Sequence, residues 1–361
     1  MDFGLSDEQK LLEQTLRRLL AEAAPPSRVR EIMNGETAHD AKLWAQLAEL
    51  GVVGILVPES QGGGGLQLLD AALAMQSLGH GATPAPFLAS SVLAPVALAA
   101  GTPAQRDEWL PRIATGGALL GVAASEVVCK RADAGVRVES GRLHGKALFA
   151  LDAGAAQAFL VVVDRDRIAI VPRDAAGLTV TLLKTIDRTR RAAELVFEGT
   201  TPAEWIGGRD GVPGIADRVL AAGRVALAAD ILGACERAIE MAVAYAKQRE
   251  QFGRPIATFQ AVKHLCAEMV AELEPARSLV WYAAHAFDER PEEASLLALH
   301  AKAHFAEIGT FIVRTATEVH GGIGFTDAYD LHLWFKRVGL DRQLLGNPEL
   351  LRAEAATLQF G

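Results

Sequence analysis

Cysteine is scarce in this 361-residue chain, which has three: Cys129, Cys235 and Cys266. None has C-x-x-C spacing, so neither a dithiol redox centre nor a cysteine-rich zinc site is expected, and all three read as reduced core thiols. Positive charge is in the minority. The net charge is -8 with both signs interspersed, which gives no basic surface for nucleic acid. No apolar run approaches the roughly 20 residues of a membrane span. The first residues, 1–8, are acidic, with no basic stretch ahead of an apolar one; no secretory signal is read there, and the expected location is the cytoplasm. His300 and His304 have the spacing of helical metal ligands, but an acidic third ligand and the H-E-x-x-H pattern are both missing. They read as surface or interface histidines, and no metal is expected.

Hydrophobic residues, in contrast, make up 50% of the chain, enough for a large core in two or three structural units. Residues 1–115 read as a helical domain. Ser6 and Gln9 form a capping-box pattern, and Leu11, Leu12, Leu16, Leu19 and Leu20 follow at helical spacing. Further helices are expected over 40–50, 66–78, 87–100 and 103–114. The four glycines Gly62 to Gly65 require a loop, because ordering them in a helix or strand costs too much entropy. Residues 116–212 carry short apolar runs between turn residues, which predicts antiparallel strands in a small barrel or sandwich. Residues 213–361 return to the helical period, with helices over 215–250, 256–288, 292–322 and 345–358. The fold class is therefore α+β: an N-terminal helical domain, a middle β domain and a C-terminal four-helix bundle.

Two glycine-rich turns carry the sharpest signal. The first is Arg249-Glu250-Gln251-Phe252-Gly253, with Gln260 shortly after. The second is His320-Gly321-Gly322-Ile323-Gly324-Phe325. Together with the first helix and the Pro58-Glu59…Gly62-Gly63 loop, they stand in family order along essentially the whole chain, which resembles the acyl-CoA dehydrogenases. The resemblance implies FAD bound between the β domain and the C-terminal bundle. It implies oxidation of the Cα–Cβ bond of an acyl-CoA substrate, with an electron-transfer flavoprotein as onward acceptor. It also implies roles for single residues. Arg249 would face the pyrophosphate of a flavin held mainly by a neighbouring subunit, Phe252 would pack at the adenosine end and Gln260 would hydrogen-bond the cofactor. Gly321 and Gly322 would let the backbone approach the same diphosphate. Ser125, in the segment that borders the flavin ring in the family, is a further candidate.

The residues for the chemistry depart from the family pattern. The reaction needs a carboxylate to remove the α-proton. Aligned on Phe335-Lys336-Arg337, the family's usual glutamate is replaced by Leu345, with Gly346 kept after it. The second family option, an acid before an arginine on the first long bundle helix, becomes Gly223-Arg224. Ala150 stands where a strand hydroxyl would face the flavin, and Glu318 replaces a glutamine before the glycine pair. Asp217, followed by Arg218, is the remaining candidate acid; otherwise Asp217, Asp230 and Glu349 read as solvated helix charges. Three readings stay open. One is a base-lacking subunit that joins a homologous acyl-CoA dehydrogenase chain in a heterotetramer acting on bulky CoA thioesters, such as those of sterol side chains. The second is a self-sufficient homo-oligomer with an unconventional acid. The third is a flavin-free protein for assembly or CoA-thioester binding.

Overall fold

Ser6 opens the first helix, α1 (Asp7–Ala23), with the expected capping box: its side chain accepts from the Gln9 N–H, and the Gln9 side chain accepts from the Ser6 N–H. The computed structural model describes residues 4–129 and 131–361, with the side chains of Ser125 and Glu126 outside the description. The N-terminal helices continue with α2 (Pro26–Asn34), α3 (Ala41–Glu49), α4 (Leu68–His80), a π-helical stretch (Leu88–Leu93) that runs into α5 (Ala94–Ala99), and α6 (Pro103–Ala114). Helix α2 is absent from the sequence expectations. Its Pro25-Pro26 start resembles a break, but Pro26 occupies the first helical turn, where its missing N–H costs nothing. The glycines of 62–65 form the expected loop, folded back so that the Gly64 N–H donates to Gly54 O at 2.9 Å.

The middle of the chain holds β1 (Leu120–Ala123), the short α7 (Ser125–Val128), β2 (Gly135–Glu139), β3 (Arg142–Ala150), β4 (Ala158–Val162), β5 (Ile168–Pro172), β6 (Leu178–Leu182), β7 (Ala193–Thr200) and β8 (Glu204–Trp205). They form two four-stranded sheets, ordered β1-β4-β5-β8 and β2-β3-β7-β6. Phe159, Val161, Leu195 and Phe197 belong to the apolar core between them. The antiparallel expectation fails at one pair: β1 and β4 are parallel. The β2–β3 hairpin of the other sheet intervenes between them and acts as the crossover that a parallel pair requires.

The C-terminal helices are α8 (Ile215–Gln248), then a hairpin of β9 (Glu250–Gln251) and β10 (Arg254–Pro255), α9 (Gln260–Glu289), α10 (Pro291–His320), α11 (Leu331–Asp341) and α12 (Pro348–Phe360). Helix α11 is a fifth helix beyond the four expected. Its buried face carries His332, Arg337 and Asp341, and these polar residues interrupt the apolar period that reveals a helix. Helix α4 lies so close against α8 that a Cβ at Gly233 would sit 1.8 Å from Gln76 O.

A buried ionic network fastens the helical and β parts together. Arg337 of α11 donates through Nε and Nη2 to both oxygens of Asp230 of α8, at 2.7 and 2.8 Å. Its Nη1 reaches Thr83 O at 3.2 Å and Thr189 Oγ1 at 2.9 Å. Arg190, from the β domain, lies 3.1 Å from both Asp230 and Asp341. Asp230 is therefore not the solvated helix charge the sequence suggested. Burial alone would raise its carboxyl, but Arg337 and Arg190 hold it well below the ordinary carboxylate range. Cys129 also corrects the expectation of three core thiols: it is exposed, Cys266 is half-buried, and Cys235 alone of the three is buried.

Candidate functional site

Helix α8 ends at Arg249, whose N–H donates to Tyr245 O at 2.8 Å while its backbone turns extended. The chain reverses at Phe252-Gly253, with φ of +53° and +77°. Two consecutive residues in the left-handed region make the tight hairpin turn that normally selects Asn-Gly. A phenylalanine there costs about 1–3 kcal/mol of backbone strain. Packing does not account for its choice, because the Phe252 side chain is 92% exposed. Phe259 holds the hairpin from beneath: Phe252 meets its ring edge-on at 6.0 Å between centroids, and the Arg254 guanidinium lies 4.3 Å from its centroid. The Ile256 N–H returns to Arg249 O at 2.8 Å, and exposed Gln260 opens α9, whose N-terminus offers unpaired N–H groups.

The second turn comes to the same end of the bundle. The Tyr245 ring stacks on His320 at 4.6 Å between centroids, which joins the end of α8 to the end of α10. Gly321 follows with φ +64° and ψ -145°, a conformation closed to residues with a Cβ. A Cβ at Gly321 or Gly322 would meet nothing within 4 Å, so open ground lies in front of both. Arg249, Phe252, Gln260, Gly321 and Gly322 are thus exposed at one end of the molecule. The combination of an exposed cation, a helix N-terminus and uncrowded glycine backbone fits one side of a diphosphate-bearing cofactor. Glu318, one turn before Gly321, is exposed, so solvent screens its charge.

The other end of α8 is different. Gly223 and Leu345, the two positions at which the resemblance implies the family's acid, are brought together: a Cβ on Gly223 would lie 2.5 Å from Leu345 Cδ1 and 2.8 Å from Leu93 Cδ2. Leu345 is 6% exposed, and its φ of +54° is followed by +115° at Gly346. The turn keeps a strained backbone without an acid to present. Buried Arg224 donates its Nε to Leu345 O at 3.2 Å and forms a bidentate pair with Glu354 of α12, at 3.1 and 2.8 Å. Lys302 of α10, fully buried, reaches Arg342 O at 3.3 Å and Gly346 O at 3.5 Å, and burial pushes its pKa down to about 7. A cavity of about 310 Å³ opens beside this turn, with Phe149, Leu151, Leu344 and Leu345 among its walls, and no carboxylate lines it among the described residues.

Asp217, Glu349 and Ala150 do not line that cavity. Asp217 is part-exposed and pairs with Arg165 of the β domain. Glu349 pairs with Arg342 at 3.2 Å on the surface. Ala150 is fully buried in the sandwich core, opposite Ala193. Ser125 begins α7, and its side chain lies outside the described residues. The sequence reading missed three elements: the Arg224–Glu354 pair, Lys302 and the Tyr245–His320 stack. A lone lysine between Ala301 and Ala303 on an apolar helix was a usable signal for the second. The other two depend on tertiary contact.

Gly223 and Arg249 lie on one helix, roughly 39 Å apart at about 1.5 Å per residue. The two ends are therefore separate regions of the molecule.

Comparison with known proteins agrees with this geometry. Residues 6–117 match the N-terminal domain of acyl-CoA dehydrogenases and residues 210–357 match the C-terminal domain. Acyl-CoA dehydrogenase IpdE2 of Mycobacterium tuberculosis is 34% identical over 349 residues, covering 96% of both chains. Among solved structures, the ChsE4-ChsE5 complex of the same organism has a TM-score of 0.89 at 27% identity, covering 100% of both chains. The Tcur3481-Tcur3483 steroid ACAD has a TM-score of 0.88 at 29% identity, covering 98% of this chain and 97% of that one. Acyl-CoA dehydrogenases of this fold bind FAD, and with both terminal domains matched and a relative similar along its whole length, this chain belongs to the acyl-CoA dehydrogenase family.

Proposed function

We propose that this chain is the subunit without its own base in a heteromeric acyl-CoA dehydrogenase, and that its Arg249 end completes the FAD site of a homologous partner chain. The observation that carries this reading is the contact between Leu345 and Gly223, because both positions available to the family's acid are aliphatic or empty and each fills the other's space. A leucine cannot accept the α-proton, and Asp217 is engaged elsewhere. FAD, when bound, supplies the acceptor for the hydride that leaves the β-carbon. The share of this chain is to bind and orient: Arg249 and the N-terminus of α9 bring positive potential to the diphosphate, the glycine pair leaves room for it, and Phe252 covers the adenosine end. The substrate class we propose is a CoA thioester with a bulky acyl group such as a steroid side chain. Likeness to a steroid ACAD supports this. An electron-transfer flavoprotein is the proposed acceptor from the reduced flavin.

The test is purification of the chain alone and with a co-expressed second chain of the same fold. The expected result is little flavin on the isolated chain and one flavin per pair of chains in the complex, lowered by Arg249→Ala. A yellow homotetramer of this chain alone, bleached by an acyl-CoA, overturns the proposal.

A further inference from the structure

The Arg249 hairpin and the Gly321–Gly322 turn are separate surface segments, and an exposed anion site needs its parts fixed relative to each other. Among the described residues, one set of side chains does this. Tyr245 lies one helical turn before Arg249, and its carbonyl takes the last hydrogen bond of α8 from the Arg249 N–H. Its ring lies against His320, the residue directly before Gly321, with 29° between the planes. His320 is 3% exposed and is held from both sides. Its Nδ1 lies 2.7 Å from Ala316 O, and a carbonyl can only accept, so Nδ1 carries the proton. In the neutral ring Nε2 then accepts, and the Tyr329 hydroxyl 3.1 Å away donates to it. Tyr329 also meets Tyr245 edge-on, at 6.2 Å between centroids. Next to Tyr329, Asp330 is tied to Arg30 of α2 at 2.8 Å, so the third ring is anchored in the N-terminal helices.

We propose that Tyr245, His320 and Tyr329 act as a positioning clasp that sets Arg249 and Gly321–Gly322 at a fixed spacing to receive a diphosphate. The clasp rests on the reading of this end as part of a flavin site. None of the three residues is required to touch the cofactor. They act through the segments they join, and the tyrosine hydroxyl determines which way the imidazole faces.

Two measurements test it. In the isolated chain, trypsin cleavage at Lys247 and Arg249 reports whether the hairpin is held, Arg254 being protected by the Pro255 that follows it. His320→Ala is expected to speed cleavage there about tenfold, the usual consequence of losing a hydrogen bond and a ring contact together, with other sites unchanged. Exposed His300→Ala on the same helix serves as the control and is expected to change nothing. In the complex with its partner chain, FAD retained after dialysis is expected to fall in His320→Ala and, by less, in Tyr329→Phe, which removes one hydroxyl and keeps the ring. Where His320→Ala lowers the melting temperature of the whole chain, Tyr329→Phe is the deciding variant. Wild-type cleavage and wild-type flavin retention in Tyr329→Phe overturn the clasp. If Arg249→Ala also leaves flavin retention unchanged, the flavin-site reading fails with it; if Arg249→Ala lowers retention and the clasp variants do not, the clasp alone is wrong.

Discussion

At the Arg249 end of α8 the side chains that matter are exposed and their backbone is strained: Phe252 stands in solvent with a left-handed φ, and nothing crowds Gly321 or Gly322. At the Gly223 end the backbone is strained too, at Leu345, but the side chains are buried against each other and Arg224 is occupied by Glu354. Exposed strain without packing marks a surface shaped for something that arrives from outside. On the proposed reading, buried strain filled with aliphatic groups is what a site that has given up its acid would leave behind. On the proposed reading, the contrast separates a binding end from an acid-free end within one helix.

The largest expected effect removes the frame that both ends share. Asp230→Ala leaves Arg337 buried without its carboxylate and Arg190 with Asp341 alone, and a loss of about 3–5 kcal/mol in denaturant unfolding is expected. Hydrogen exchange should show both ends loosening together; loosening confined to the Gly223 end would break the link between them. Arg249→Ala should lower FAD retention in the complex about 10- to 100-fold, as expected for a hydrogen bond to a charged group. The melting temperature should not change, and Leu345→Ala should leave retention untouched. Glycine substitutions sharpen the comparison further. Gly223→Val drives a side chain into Leu345 and Leu93 and should cost about 1–3 kcal/mol. Gly322→Ala, with nothing near its Cβ, should stay within about 0.5 kcal/mol. Phe252→Asn suits the left-handed turn and should stabilise the hairpin by about 1 kcal/mol. It should also weaken the complex, and a variant that is more stable and binds equally well would remove the functional explanation for the strain. The smallest effect is with pH. Burial pushes the pKa of His320 below its ordinary value, so the folded chain favours the neutral ring. That contribution is full above an unfolded pKa of about 6.5 and is lost as pH falls through the lowered folded value. Trypsin cleavage of the hairpin, taken relative to other sites in the same digest, should therefore rise on acidification in the wild type and not in His320→Ala.

Much of this was legible before the fold was known, and the reasons differ by residue. The capping box at Ser6, the glycine loop at 62–65 and the long helices are local, so spacing and entropy reveal them. Leu345 and Gly223 were read as missing acids because a motif surrounds each. That they touch was not, since residues far apart in sequence meet only in the folded bundle. Helix α11 and the burial of Asp230 escaped for one reason. A charged residue reads as solvated unless its partner is known, and Arg337 and Arg190 come from other parts of the chain. Phe252 was read as a cofactor contact from resemblance, and its backbone strain became visible only in three dimensions.

The packing of Leu345 on Gly223 also has an evolutionary consequence. Any side chain added at 223 meets both Leu345 and Leu93, so an acid there has to push two leucines aside unless 345 is made smaller. Shrinking 345 first opens a hole in the core and lowers stability before anything is gained. On the proposed reading the contact works as a ratchet: an acid at 223 is reached only through a less stable protein, and dependence on a second chain would be the easier state to keep.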